Sequence, residues 1–388
     1  VESQSIVAVE ALGRHLVDGQ VHSLGPFFLD RSVDPGFHEY RWGVDRALRA
    51  AALREFVLGA HPDQRLFLNV NPQFMLEYLK SQTSELPWTL QTIEDLGIDP
   101  RRVVIELTEQ GVGGATASLR RLVDTYRAHG CSIAVDDVGA EASNLDRIGY
   151  LEPDIVKIDA TLLRRSLAER SFEEVLVGLR AMADGLGAAL LFEGVESERE
   201  LTQALRFGAR YLQGWYFGAA EPTFAPLDRF APLLKARLEV FGQARSREIV
   251  DRDKNLGTVI SLLSRAFPDL TSTDHVTLVD PASLEPWTGL ACRVFLTDRR
   301  GFQVSPNYVP RPEGWVSDGR GVGSCRTARP YFAGRGTPNR GGARLWSVSE
   351  PYFDVNDRTR LRTFGRLVGP DLILFVDVPE IEYPFRTD

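Results

Sequence analysis

Residues 131–139 read Cys-Ser-Ile-Ala-Val-Asp-Asp-Val-Gly, and residues 154–159 read Asp-Ile-Val-Lys-Ile-Asp. Each is a short branched run, Ile133 to Val135 and Ile155 to Val156, that stops at a charged group, Asp136-Asp137 and Lys157. Working outward, the same pattern recurs: Ile6 to Val9 before Glu10, Leu66 to Leu68 before Asn69, and Val103 to Ile105 before Glu106. It returns at Leu190 to Phe192 before Glu193 and at Tyr211 to Leu212 before Gln213. Short branched runs of this kind read as buried parallel strands. Amphipathic stretches lie between them, among them Val44 to Leu58, Ala115 to Ala128, Phe172 to Leu186 and Glu198 to Phe207. Repeated strand and helix predict an α/β fold, a (β/α)8 TIM-like barrel with an open doubly wound sheet as the alternative.

In a closed parallel barrel the C-terminal strand ends meet at one rim, so the polar groups that end the seven runs would converge. Two carboxylates about 4 Å apart repel by roughly 4 kcal/mol at an effective dielectric of 20. Glu10, Glu106, Asp136, Asp137 and Glu193 therefore need protons or cations between them. An oxygen-only set, with Asn69 adding an amide, suits magnesium or manganese better than zinc. Adjacent Asp136 and Asp137 point to opposite faces of a continuing strand; if the strand ends there, both turn to the rim and one carboxylate bridges two ions. The inference is a two-metal hydrolase acting on a phosphodiester. A single acid at a strand end more often reads as a helix cap, but seven polar ends in register do not. Lys157 stands out as one of four lysines among 45 basic residues. It either serves the site or pairs with Asp159, two residues on and on the same face.

The rest of the composition sets bounds. The chain has 388 residues and a formal charge of -8, which opposes a nonspecific nucleic-acid binder. No apolar run is long enough to span a bilayer, and no signal segment opens the chain. Cys131, Cys292 and Cys325 form neither a disulfide framework nor a thiolate zinc pattern, so a reducing, cytoplasmic setting fits. The first residue is Val1, which reads as a trimmed start with one barrel strand expected upstream. From Leu227 the periodicity changes, and Leu227, Phe230, Leu234, Leu238 and Phe241 share a helical face, with Pro232 tolerable in the first turn. The expected division is a barrel over 1–228, a connecting helix or helix pair over 229–266, and a small α+β domain over 267–388. Hairpins are expected at Cys292 to Thr297 with Phe302 to Ser305, and at Leu361 to Val368 with Asp371 to Val378. Gly334 to Gly342 reads as a surface loop.

Glu10-Ala11-Leu12-Gly13-Arg14, Asn69-Val70-Asn71-Pro72, Glu106-Leu107-Thr108-Glu109, Asp136-Asp137-Val138-Gly139, Lys157-Ile158-Asp159, Glu193-Gly194-Val195-Glu196 and Gln213-Gly214 together resemble the ordered motifs of the EAL domain. The resemblance covers about residues 1 to 225. It implies a barrel that hydrolyses one phosphodiester of cyclic di-GMP to linear pGpG with two magnesium or manganese ions. By the same resemblance Glu10, Asn69, Glu106 and Asp136 would hold the first ion, and Asp136 with Asp137 the second. Lys157 and Glu193 would position and activate water. Leu12, Arg14 and Gln213 would contact substrate, and Glu109 would steady the loop after the paired aspartates. That loop reads Val138-Gly139-Ala140-Glu141-Ala142-Ser143-Asn144, where active members of the family read Phe-Gly-Thr-Gly-Tyr-Ser-Ser. The departure keeps open a receptor that binds the dinucleotide without turnover. An enolase-like barrel is a third reading, opposed by the Glu10 to Arg14 motif. Val294 to Phe302 and Ser349 to Asp354 resemble a PAS or Cache-type sensor domain, implying an unknown small ligand there. The family further implies a homodimer, while the acidic balance and the lack of a long apolar run argue against a nucleic-acid polymer or a membrane as partner.

Overall fold

The computed structural model describes residues 1–29, 35–71, 86–107, 116–140, 145–273, 276–333, 346–355 and 357–380. Glu109, Glu141 to Asn144 and Gly334 to Gly342 lie outside the described residues. Two compact units are present, Val1–Ala244 and Arg245–Asp388. No helix among the described residues is long and apolar enough to cross a membrane.

In the first unit the strands are β1 (Ala8–Glu10), β2 (Arg14–Val17), β3 (Gln20–Ser23), β4 (Arg65–Val70), β5 (Val103–Leu107), β6 (Ser132–Val138), β7 (Ile155–Ile158), β8 (Ala189–Phe192) and β9 (Ala209–Leu212). β2 and β3 form an exposed hairpin, turned by Asp18 and Gly19 at φ 49 and 76°. The other seven strands form one parallel sheet in the order β1-β4-β5-β6-β7-β8-β9, the curled sheet of a TIM-like β/α barrel.

Period two sorts its side chains into two cores. Leu66, Leu68, Val103, Ile105, Leu107, Ile133, Val135, Val156 and Leu190 face the surrounding helices and pack in the larger core. Alternate residues form a second cluster: Phe67, Val104, Ala134, Ile155 and Leu191, with Ala8 and Tyr211 against it. Seven of these residues stand two before a polar group: Ala8 before Glu10, Phe67 before Asn69, Val104 before Glu106, Ala134 before Asp136, Ile155 before Lys157, Leu191 before Glu193 and Tyr211 before Gln213, while Ala189, also packed there, stands two before Leu191. One step of the strand repeat thus lifts each polar side chain above an apolar floor.

The helices returning between strands carry local start and stop signals. Asp159 accepts a hydrogen bond from the Thr161 amide at 2.7 Å and caps helix Ala160–Ala168. It is therefore a cap rather than the partner of Lys157. Ser197 and Glu200 make a reciprocal capping box on helix Glu198–Arg206. Gly187, at φ 70°, ends Arg170–Leu186 in the left-handed conformation.

A single helix, Ala231–Arg265, follows the barrel, with Pro232 in its first turn. Leu256, Val259, Ile260 and Leu263 near its end pack into the core of the second unit. That unit contains a hairpin of β10 (Leu270–Thr273) and β11 (Val276–Val279). Its main antiparallel sheet is built from β12 (Arg293–Asp298), β13 (Tyr308–Arg311), β14 (Gly314–Ser317), β15 (Ser347–Val348), β16 (Tyr352–Phe353), β17 (Arg360–Val368) and β18 (Leu372–Pro379). The β17–β18 hairpin matches the sequence expectation over its whole length. The hairpin expected at Cys292 to Ser305 is cut short. The chain turns back at Asp298 to Phe302, bridges at Thr297 and Gln303, and then leaves the ladder. Ser305 takes the Leu296 amide with its hydroxyl at 2.8 Å, and the next residue, Pro306, has no amide to donate. Regular pairing with β12 is supplied by β18.

Gly214 is the tightest backbone contact of the barrel rim. Its φ is 153°, and a Cβ there would stand 2.2 Å from both the nitrogen and the oxygen of Val195. We expect Gly214→Ala to destabilise the first unit by about 3 kcal/mol through overpacking and backbone strain. The check is a lower midpoint for its transition in urea.

Candidate functional site

Lys157 organises the rim. Its ammonium is 1% exposed and lies against four carboxylates: Glu106 in direct contact, Glu193 at 2.6 Å, Asp136 at 3.2 Å and Glu10 at 3.6 Å. Four formal negative charges face one positive charge. The strands fix this geometry, since Asn69 and Glu106 are register partners across β4 and β5, and Lys157 is paired with Leu191 two residues before Glu193. At the two ends of the sheet order, β1 and β9 are tied by side chains. Gln213 donates its Nε2–H to Glu10 Oε2 at 2.7 Å, while Asn69 Nδ2 donates to Glu10 Oε1 at 3.0 Å.

Asp136 and Asp137 reach the site by a route the alternation rule does not give. β6 does not end before them. Its register against β7 shifts by one residue between Val135 and Val138, and Asp137 has φ 57°. Such a bulge with a left-handed residue costs on the order of 1–3 kcal/mol and lets consecutive side chains share a side. Carboxylate oxygens of Asp136, Asp137 and Glu193 lie within 4.8 Å of one another, as do those of Glu10, Glu106 and Glu193.

The electrostatics express the crowding. Burial, followed by the charges of Glu193, Asp137 and Glu10, pushes the Asp136 carboxyl up to about 9. Burial also raises Glu193, with Lys157 opposing the rise. Glu106 is 0% exposed, and its Oε2 accepts no hydrogen bond among the described residues. A buried carboxylate oxygen without a donor is a group that a cation satisfies. The donor set is all oxygen, without His or Cys, as hard divalent ions require. The residues fit magnesium, manganese or calcium on chemistry alone.

Other sequence-predicted residues stand apart from this cluster. Arg14 is exposed and donates to the Gly13 carbonyl at 3.0 Å. Leu12 is 40% exposed beyond the end of β1. The loop bearing Glu193 has a brace that motif reading passed over. Arg164 donates to the Gly194 carbonyl at 3.2 Å and pairs with Glu196 at 2.9 Å and Glu200 at 3.1 Å. Glu200 Oε2 in turn accepts from the Glu196 and Ser197 amides. The signal for half of this brace was present in Ser197-Glu198-Arg199-Glu200, a capping-box pattern.

Comparison with known proteins agrees with the fold. The EAL domain model matches residues 40–220. The EAL-domain-containing protein YkuI of Bacillus subtilis is 32% identical over 387 residues, covering 97% of this chain and 91% of that protein. The crystal structure of YkuI in complex with substrate c-di-GMP and calcium superposes with a TM-score of 0.80 at 30% identity, over 98% of this chain and 94% of the other. The cyclic di-GMP phosphodiesterase RocR of Pseudomonas aeruginosa is 31% identical over 136 residues, 35% of each chain. With a likeness to YkuI that runs through both units, the chain belongs to the EAL-domain family.

Proposed function

We propose that the protein is a metal-dependent phosphodiesterase that opens cyclic di-GMP to linear pGpG. The observation that carries this reading is the rim itself, where polar groups from seven strands stand over one apolar floor with Lys157 among four carboxylates. The likeness to a YkuI structure holding c-di-GMP and calcium supports the choice of substrate.

Glu10, Asn69, Glu106 and Asp136 would hold one divalent ion, and Asp136 with Asp137 a second. Two such ions, when bound, supply Lewis acidity toward a phosphodiester and ease the ionisation of water. The protein's own groups do the rest. Asn69 and Gln213 fix both oxygens of Glu10, so that carboxylate presents one orientation. Lys157, compact and fully enclosed, holds Glu106 and Glu193 in place and keeps a donor at the centre of the site. Glu193, raised by burial, is suited to accept the proton that water loses. Arg14 would reach a substrate phosphate with its guanidinium fork. The reaction adds one water across one P–O bond and leaves a terminal phosphate and a free 3′ hydroxyl.

The departures at Val138, Glu141 and Ala142 favour a second reading, a receptor that binds the dinucleotide without cleaving it. The second unit would then be the output. In either case we assign it a regulatory role, supported by its separate core and sheet. One assay separates the readings: incubation with cyclic di-GMP and magnesium or manganese, followed by chromatography for pGpG. We expect product that EDTA abolishes. Glu10→Ala should lower turnover by about 100-fold or more, the size of a lost transition-state contact, while circular dichroism is unchanged. Binding without product would replace the enzyme by the receptor.

Two stability measurements address the charge cluster. Lys157→Met strands carboxylates in the interior and should cost about 3–5 kcal/mol in EDTA, with magnesium restoring part of the loss. Full stability in EDTA would contradict the ion pairing. For Asp136 the folded value lies above the unfolded one, so the folded state binds the proton more tightly and stability falls as pH rises from about 4 toward about 9. Melting in EDTA should therefore decline over this range more steeply for the natural protein than for Asp136→Asn.

A further inference from the structure

The hairpin of β2 and β3 carries ligand chemistry that the rim lacks. His15 and His22 are register partners across its ladder, so their side chains leave the same face. Their ring centroids lie 5.5 Å apart, with the planes tilted by 31°. Every residue of the two strands is exposed. Among the described residues neither imidazole has a hydrogen-bond or ion-pair partner. The two-residue turn at Asp18 and Gly19 fixes the register. On the same face the next pair is Val17 opposite Gln20, which brings no charge to the two rings.

A cross-strand pair of rings stabilises a hairpin by at most about 1 kcal/mol, and any two flat side chains could supply that. Two imidazoles add unpartnered ring nitrogens at a fixed spacing. A zinc–nitrogen bond of about 2.0–2.1 Å sets each ring centre about 3.2 Å from the ion, and so the two centres of a tetrahedral pair about 5.2 Å apart. The observed 5.5 Å needs only a small side-chain adjustment to meet that distance.

We infer that His15 and His22 form a metal site for a borderline divalent ion, zinc, nickel or copper, with water completing its coordination. Imidazole favours these ions, whereas the all-oxygen rim suits magnesium, manganese or calcium. The hairpin and the rim therefore prefer different metals. An ion held by both strands also pins an isolated two-stranded ladder, which is marginal by itself, and Arg14 opens the first of those strands. The site is independent of the substrate proposed above and needs no nucleotide.

The test uses the full chain with magnesium in excess and titrates zinc by calorimetry. The natural protein should take up one zinc ion that the double variant His15→Ala with His22→Ala does not. Each single variant should weaken that uptake by at least about tenfold, the lower end of what loss of even an outer-shell partner costs. Copper(II) should show nitrogen couplings in its EPR spectrum that the double variant loses. Zinc should slow amide exchange over residues 14–23 in the natural protein and leave it unchanged in the double variant. Melting temperatures in magnesium without zinc should match, because both side chains are exposed. Equal zinc uptake by the natural protein and the double variant would overturn the site.

Discussion

The barrel depends on one enclosed ammonium. Without Lys157, Glu106 would be a fully buried charge, and its neighbours on three other strands would repel it and each other. Removing charges from water costs several kcal/mol per ion after relaxation, and only close opposite charge offsets it. The stabilisation is incomplete, because one cation cannot balance four anions. Burial first, and then that imbalance, make Asp136 hold its proton, and the imbalance leaves the site with a standing demand for further positive charge. Stability and cation affinity are two expressions of the same arrangement.

Much of this was legible in the amino-acid order. A branched run ending in a polar residue records a strand whose last inward position is polar, and Val103-Val104-Ile105-Glu106 carries both the strand and its member of the carboxylate cluster. The apolar floor was implicit as well, since period two puts Val104 under Glu106 and Ile155 under Lys157. What escaped was geometry that depends on neighbours distant in sequence. The bulge in β6 is visible only against the register of β7, and alternation alone would send Asp136 and Asp137 apart. The bond between Gln213 and Glu10 spans 203 positions, and no local pattern announces it.

The second unit was harder to read for a physical reason. In an antiparallel sheet many partners are possible for each strand, and side chains compete for the ladder. β17 and β18 were legible because both are long and joined by a tight turn at Gly369. The segment after β12 was not, because the Ser305 hydroxyl replaces a backbone partner just before Pro306. Asp377, fully buried, is satisfied by Arg293 and Thr363, a polar network that reads in sequence only as scattered charges.

The apolar layer beneath the rim has a kinetic meaning. Phe67, Val104, Ala134, Ile155 and Leu191 are each at most 5% exposed, so an apolar layer fills the barrel beneath the rim groups. On the function proposed above, product would leave on the side that admits substrate, and its release would belong to the catalytic cycle rather than follow it.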